Sequence, residues 1–586
     1  MVSPVPVVAS GHELGGRLRT DRPGVPARDV LISDGGQQVR YVRRLKLPEQ
    51  QPWRLDADEF VSSSKRHRHS VCACAPGGLG SVRAVSSLLV RNVRLVPVAP
   101  EDDVPDHPVD VLVQRGTVTA VQVDVVRPPA VEEIEARGRW LAPGLWDQHV
   151  HLGQVTLSSQ RLDLAAARSP EHAIAIVAER LAEHPGHPVV GWGHRSGGWE
   201  RDVTVSELDA ISGDSPVVLI SGDAHHAWVN TTALVRLELP VRDVVVREAE
   251  WFATYPRLAA IVGTDNTSPQ AYRRTLDAAA ALGVVGLVDF EVGDGPSGWA
   301  ERWAQGCDRL RVRAAAYPAA VEEVIAGGLR TGAALPGCDD RATMGSLKIL
   351  SDGSLNTRTA WCCAPYADAH RQEHPSGQPN LPADELRDLL RRAHAAGLEV
   401  ATHAIGDAAV AAALAAYAET GARGSVEHAQ MVQRDDVRQM TALGIRASVQ
   451  PAHLLDDRDL TEKLWGERSA RCFAFRWMLE DGVTLVLGSD APVSPLDPWL
   501  AMAAAVHRSA DERDAWHPEQ SLTAQEALAA SVDGQPTVRP GSRGDLVLLD
   551  ANPLAPGDTP ATGEALRAMP PAALTVVAGD VIHSGL

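Results

Sequence analysis

Residues 144–151 read Gly-Leu-Trp-Asp-Gln-His-Val-His, GLWDQHVH, entered through an apolar approach ending in Pro-Gly. Short and β-rich, the stretch reads as a strand, and side chains at i and i+2 of a strand share one face. His149 and His151 can therefore grip one object together. Imidazole favours Zn, Fe, Ni and Cu, so a metal ion is the natural object. Two histidines at this spacing on an exposed strand are also often merely solvated, and the pair needs company before it decides anything.

Seven further runs of the same kind follow at intervals, alternating with Ala/Leu/Arg-rich helical stretches. They are GVVGLVDF (283–290), RVRAAAY (311–317), SLKILSDG (346–353), EVATHAIGD (399–407), SVEHAQ (425–430), IRASVQP (445–451) and TLVLGSD (484–490). Alternating β and α units imply a parallel sheet, and eight such strands close into an α/β (β/α)8 TIM-like barrel. The barrel is assigned to 141–529. Within it, 155–275 falls outside the rhythm and carries its own strand-like runs, PVVGWGH and PVVLISGDAHHAWVN. It is too long for a plain loop and reads as an inserted small domain after the first strand.

Short β-rich runs with turn punctuation occupy 85–140, and GDLVLLDANPL and AALTVVAGDVIHSG mirror them within 530–586. These ends are expected to assemble one small β-sandwich from both termini. Residues 1–84 are rich in Pro, Gly, Ser and basic side chains without periodicity, which predicts a disordered extension or a mis-assigned start, with translation beginning near Val82 or Ser86. His67, His69, Cys72 and Cys74 lie in that segment, but their C-x-C spacing misses the usual zinc pattern.

A formal net charge of −19 argues against a nucleic-acid or anionic-membrane surface, which calls for a basic patch. No apolar run approaches the ~20 residues of a membrane span, and the N-terminus lacks a secretory pattern. Seven scattered cysteines form no disulfide framework. The expectation is a cytoplasmic protein with reduced thiols and a small-molecule substrate, capable of forming a homo-oligomer.

The opening histidines find their company at the C-terminal ends of other strands, where barrel active sites lie. Lys348 is on the fourth, His403 on the fifth, His428 on the sixth and Asp490 on the eighth. PGLWDQHVH, LKILSDGSLNTRTAW, THAIGDAAV, VEHAQ and LGSDAPV together resemble the amidohydrolase superfamily. With GWGH, DAHHAWVNTTAL and SVQPAHLLDD, they resemble its family 3 branch of YtcJ-like and N-substituted-formamide-deformylase-like enzymes. The likeness runs from about residue 87 to the end. Gly193-His194 departs from it, since relatives more often show a second tryptophan after GWG.

The resemblance implies one or two divalent ions, zinc first among them. His149, His151 and Asp490 would hold one ion and His403 and His428 the other. Lys348, N6-carboxylated on its amine, would bridge them. An unmodified lysine has no acceptor and would repel a cation, so Lys348 fits as a ligand only in that form. The other reading pairs an ordinary Lys348 with an acid such as Asp352. The implied reaction is hydrolysis of a non-peptide C–N bond in an N-substituted amide or formamide. Metal-activated hydroxide attacks, and Asp490 is the catalytic proton shuttle.

Asp223, His225, Arg358 and His453 are the candidate substrate contacts. For Trp228 and Asn230 the competing reading is packing of the insertion, for Arg358 a salt bridge holding its loop, and for His453 and Asp456 plain loop polarity. Hydrolysis of an ester or cyclic amide is the alternative within enzymes. The alternative of another class is a non-catalytic barrel serving as an assembly or regulatory module, whose mark would be lost ligands; here all six positions carry competent residues.

Overall fold

The computed structural model describes residues 87–586 except 159–160, 259–260, 262–267, 294, 510–512 and 555–564. The segment 1–84, with its histidine and cysteine cluster and the question of where translation starts, lies outside the described residues.

Eight strands form one all-parallel sheet in chain order: Leu145–Val150, Val284–Asp289, Arg311–Ala316, Ala342–Leu350, Val400–Ala404, Gly424–His428, Arg446–Val449 and Leu485–Leu487. All eight predicted runs are the barrel strands. Their near-continuous burial follows from a sheet covered on both faces. One hydrophobic core runs through strands and surrounding helices, with Trp146, Leu287, Met344 and Val426 among its strand members.

The first and eighth strands close the barrel just beyond their ladders. The Asp490 amide donates to the His149 carbonyl at 2.7 Å, and the His151 amide to the Ala491 carbonyl at 2.9 Å. Asp147 spans the same seam, one carboxylate oxygen accepting from the amides of His149 (3.1 Å) and Ser489 (2.9 Å). Gly488 allows the approach, since a Cβ there would lie 2.7 Å from the His149 amide nitrogen.

The two chain ends share a sheet. Leu546–Leu549 pairs antiparallel with Trp140–Pro143 and with Leu574–Val577, and Ser87–Leu95 continues the sheet beyond Trp140–Pro143. Trp140–Pro143 then runs through Gly144 straight into the first barrel strand. Asp533 and Asp545 bind this end to the barrel: Asp533 takes both guanidinium ends of Arg313 at 2.7 Å, and Asp545 takes Arg311 at 2.6 Å.

A five-stranded sheet lies in the expected insertion, ordered Val246–Arg247, His226–Val229, Val217–Ser221, Val189–His194 and Leu162–Asp163. Trp228 and Asn230 pack it, as the competing reading of the sequence held. The Trp228 indole donates to the Thr204 carbonyl at 2.6 Å. Asn230 caps the helix Thr231–Arg236 and accepts from the amide of Val217. Trp192 and Trp199 are also buried among apolar neighbours. The helix Pro269–Ala281, inside which the expected boundary at 275 falls, packs Tyr272, Leu276 and Ala279 into the barrel core. Among the described residues no helix is long and apolar enough to cross a membrane.

The seam gives a first test. Gly488→Ala forces a methyl against the His149 backbone, with an expected loss of about 1–3 kcal/mol from overpacking. A lowered urea midpoint relative to wild type checks it; an unchanged midpoint means that the seam yields to the added carbon.

Candidate metal centre

The C-terminal ends of the strands bring His149, His151, Lys348, His403, His428 and Asp490 to one rim, all buried except His151, which is half-buried. Two of them sit in uncommon backbone conformations at the strand ends, His428 at φ 69° and Asp490 at φ 55°. Such outliers gather at functional sites, where surrounding structure holds them.

Asp490 is the hub. Its Oδ1 lies 3.2 Å from His151 Nε2 and 3.5 Å from His149 Nε2, while its Oδ2 faces His453 Nε2 at 3.8 Å. Potential ligand atoms of His149, His151 and Asp490 fall within 4.8 Å of one another, as do those of His428, His453 and Asp490. His428 Nδ1 and His453 Nε2 are buried without a hydrogen-bond partner, whereas His151 turns Nε2 to Asp490. Buried polar atoms are rarely left so, and a cation held beside the Asp490 carboxylate would give such nitrogens a partner. The donor set, imidazole and carboxylate, suits a divalent transition metal.

Supporting groups fix these rings. Glu427 accepts from His149 Nδ1 at 2.8 Å, which places the hydrogen there and leaves the Nε2 lone pair facing Asp490. Ser425 donates to the other Glu427 oxygen at 2.5 Å. Burial opposes the charge on Glu427, but His149 and Lys348 outweigh it and hold the carboxyl down at about 2. Burial, reinforced by the Lys348 cation, keeps His149 neutral down to about 4. His428 is held well below its ordinary value by burial and by His403. For Asp490 burial works against ionisation, yet His149, His151 and His428 hold the carboxyl well below the usual range. It is an anion.

Lys348 is fully buried, its Nζ 3.2 Å from His149 Nε2 and 4.2 Å from the centre of the Phe290 ring. Asp352 is not its partner. That carboxylate accepts from His403 Nδ1 at 3.0 Å and from the amides of Trp361, Ile405 and Gly406, so its lone pairs serve the fifth strand instead. Burial lowers the Lys348 ammonium to about 8 against the pull of Glu427 and Asp490.

The insertion brings His225 to the same rim, its ring centre 6.1 Å from that of His403. Its Nδ1 lies 3.1 Å from Glu248, and Glu248 in turn accepts from the hydroxyls of Thr357 (2.6 Å) and Thr359 (2.8 Å). Burial disfavours the imidazolium, but Glu248 and Asp223 outweigh it and raise His225 to about 9. Asp223 accepts from Ser221 and from Ser354 at 2.7 Å, tying the insertion to the loop after the fourth strand. Arg358 does the same from the other side, bound to Asp368 (3.2 Å), the Asn356 carbonyl and the Gly197 carbonyl. Its guanidinium holds the loop, as the salt-bridge reading had it. Asp456 pairs with Arg195.

Of the functional residues missed in the sequence, Glu248 and Asp147 matter most. Glu248 sits in no motif, and Asp147 sits in GLWDQHVH without a role that the motif itself reveals. Their partners, Thr357 and Ser489, lie far along the chain, and no local pattern signals such pairings.

Comparison with known proteins places this architecture. The model of the Amidohydrolase family matches residues 132–583. The chain is 27% identical over 469 residues to the Protein LONG AFTER FAR-RED 3 of Arabidopsis thaliana, covering 72% of this chain and 79% of that one. It is 25% identical over 502 residues to the N-substituted formamide deformylase of Arthrobacter pascens, covering 76% and 90%. The crystal structure of an uncharacterized metal-dependent hydrolase from Pyrococcus horikoshii OT3 superposes with a TM-score of 0.67 at 26% identity, covering 80% of this chain and 98% of that one.

The His225–Glu248 pair predicts a pH effect. A folded-state value above the ordinary 6.5 means stabilisation fully present below pH 6.5 and lost as pH rises through about 9. Wild type should lose up to roughly 3 kcal/mol more than His225→Gln across that window, read from urea midpoints at each pH. Parallel curves for the two proteins would refute the pairing.

Proposed function

The chain belongs to the amidohydrolase family and is a metal-dependent hydrolase, and from that premise we propose that it cleaves a non-peptide C–N bond in an N-substituted amide or formamide. The observation that carries the reading is the gathering of His149, His151 and Asp490 across the barrel seam, with Lys348, His403 and His428 on the same rim. The likeness to a formamide deformylase over most of both chains supports the substrate class. The intact ligand set weighs against a non-catalytic barrel.

His149, His151 and Asp490 would hold a zinc ion, and an ion there acidifies water and polarises a carbonyl. The chain's own groups do the rest. Glu427 keeps the His149 proton on Nδ1, so that Nε2 is a ligand and never a donor. Asp490, ionised and set among histidines, accepts the proton of the attacking water on a carboxylate oxygen and delivers it to the departing nitrogen. His225, oriented by Glu248, offers a charged N–H to the substrate carbonyl, where negative charge develops. Lys348, whose burial favours the free amine, is suited to react with carbon dioxide and become the carbamate ligand.

The strong negative charge supports a small-molecule substrate over nucleic acid or an anionic membrane. We propose a cytoplasmic protein, capable of forming a homo-oligomer. Five of its cysteines, Cys307, Cys338, Cys362, Cys363 and Cys472, are free thiols, which suits that compartment.

Elemental analysis of purified protein, with a screen of N-formyl and N-acyl amines in the presence and absence of chelator, tests the reading. Full activity in metal-free protein would overturn it; turnover of esters or cyclic amides alone would move the substrate class. Asp490→Asn should keep the fold by circular dichroism and lose at least about 100-fold in kcat, the usual worth of a positioned proton-transfer group. Lys348→Ala should lose activity that short-chain carboxylic acids partly restore. Absence of rescue together with unchanged metal content would exclude the carbamate.

A further inference from the structure

Gly193-His194, where the chain departs from its family resemblance, leads into Arg195-Ser196-Gly197-Gly198. Ser196 begins the short turn Ser196–Gly198 and is half-buried. Its hydroxyl oxygen lies 2.9 Å from Nε2 of His226, a histidine that the metal centre does not use. His226 opens the strand His226–Val229 and is 5% exposed, and its Nδ1 is buried with no hydrogen-bond partner among the described residues. Its ring packs edge-on against that of His194, with centroids 5.2 Å apart, and His194 is itself held through Nε2 to the Leu219 carbonyl at 3.0 Å.

The charge on Asp223 decides where the His226 proton sits. Oδ1 of that carboxylate is 3.8 Å from His226 Nδ1, beyond a hydrogen bond but close enough for an anion to favour the tautomer with its hydrogen on that side. The Nε2 lone pair then faces Ser196, which donates to it. Asp223 is fixed independently, by the hydroxyls of Ser221 and Ser354 and by the His225 amide. Burial lowers His226 from its ordinary value, which leaves it a neutral base at neutral pH. A donor stands ready beside the turn: a Cβ on Gly197 would collide with Oδ1 of Asn356, and Nδ2 of that side chain is buried with no hydrogen-bond partner among the described residues.

We propose that Ser196 is a nucleophile, with His226 as its base, Asp223 orienting His226 and Asn356 receiving the carbonyl oxygen, and that this site cleaves small carboxylic esters independently of the metal centre. A hydroxyl on a neutral imidazole backed by a carboxylate is the arrangement of covalent acyl transfer, and the contact between base and orienting group is often loose before substrate binds. Ser196 Oγ bonds to the acyl carbon as its proton passes to His226 Nε2; the ester C–O bond breaks, and the alcohol leaves with that proton. Water then attacks the acyl carbon and gives its proton to the same nitrogen. The acid departs as Ser196 Oγ recovers the hydrogen.

Reactivity of the serine, measured with the metal centre silent, tests the proposal. Full-length protein stripped with chelator is treated with p-nitrophenyl acetate and, separately, with a fluorophosphonate ester. Wild type should release p-nitrophenol in a burst of about one equivalent before a slower steady rate, and the phosphonyl group should map to Ser196 by peptide mass. Ser196→Ala should lose both the burst and the adduct. His226→Gln leaves the hydroxyl in place without its base and should react with the fluorophosphonate at least about 100-fold more slowly, the usual worth of a positioned proton acceptor.

An adduct on any other residue, or none, in wild type would overturn the proposal, as would an undiminished rate in folded His226→Gln. Ester cleavage that appears only after metal is restored would place that reaction at the metal centre and refute a separate site. Should either variant fail to fold, the burst and the adduct map of wild type decide alone: stoichiometric modification of Ser196 supports the site, and its absence refutes it.

Discussion

Closure of the barrel between its first and eighth strands is the constraint on which the site depends. His149 and Asp490 are separated by most of the barrel in sequence, and the Asp490 amide bonded to the His149 carbonyl makes them neighbours. That hydrogen bond and its companion from His151 to Ala491 fix the register of the seam. A shift of one residue on either strand would turn the ligands to the wrong face, because strand side chains alternate. Asp147 and Gly488 secure the register, the first by accepting from both strands and the second by leaving no Cβ in the way. The carboxyl of Asp147 is raised to about 6, chiefly by burial. It is kept there for geometry, at an electrostatic cost.

The same trade recurs around the rim. Burying several histidines, a lysine and an aspartate together is unfavourable unless each has a partner, and a low-dielectric interior magnifies both the cost and the remedy. Glu427 and Asp352 supply the remedy for two rings, each carboxylate tethered in turn by a hydroxyl or by backbone amides. Among the described residues, His428 and His453 each keep a buried ring nitrogen without a protein partner, and both residues converge on Asp490. Unsatisfied nitrogens beside an anion are what a cation site looks like before the cation is considered.

Much of this was legible in the sequence because the signals were local. Eight apolar runs with helical stretches between them specified a barrel, and the ligands stood at the ends of those runs in motifs of known order. Pairings between distant residues were not legible. Asp352 looked like a partner for Lys348, four residues away, but it stands beyond the end of the fourth strand, where its carboxylate is taken up by His403 and by the amides that follow the fifth. Glu248 carries no motif, yet it fixes His225 through hydroxyls more than a hundred positions distant. Trp228 and Asn230 stood inside a recognisable motif and proved to be packing groups, since a motif can mark a structural requirement as readily as a chemical one.

The division of labour between barrel and insertion follows from these contacts. The barrel supplies ligands whose positions are set by backbone register, which leaves little freedom for variation. The insertion reaches the rim through the Asp223 carboxylate to Ser354, the Glu248 carboxylate to Thr357 and Thr359, and the Gly197 carbonyl to Arg358. All three links end on the loop after the fourth strand, which also follows Lys348. The insertion also reaches the chain just beyond the seam, where Trp192 and Arg195 donate to the carbonyls of Pro492 and Val493. The rim is thus braced from two directions, by backbone register within the sheet and by the segment that the barrel rhythm leaves out, and a fold of this kind does not by itself dictate the substrate.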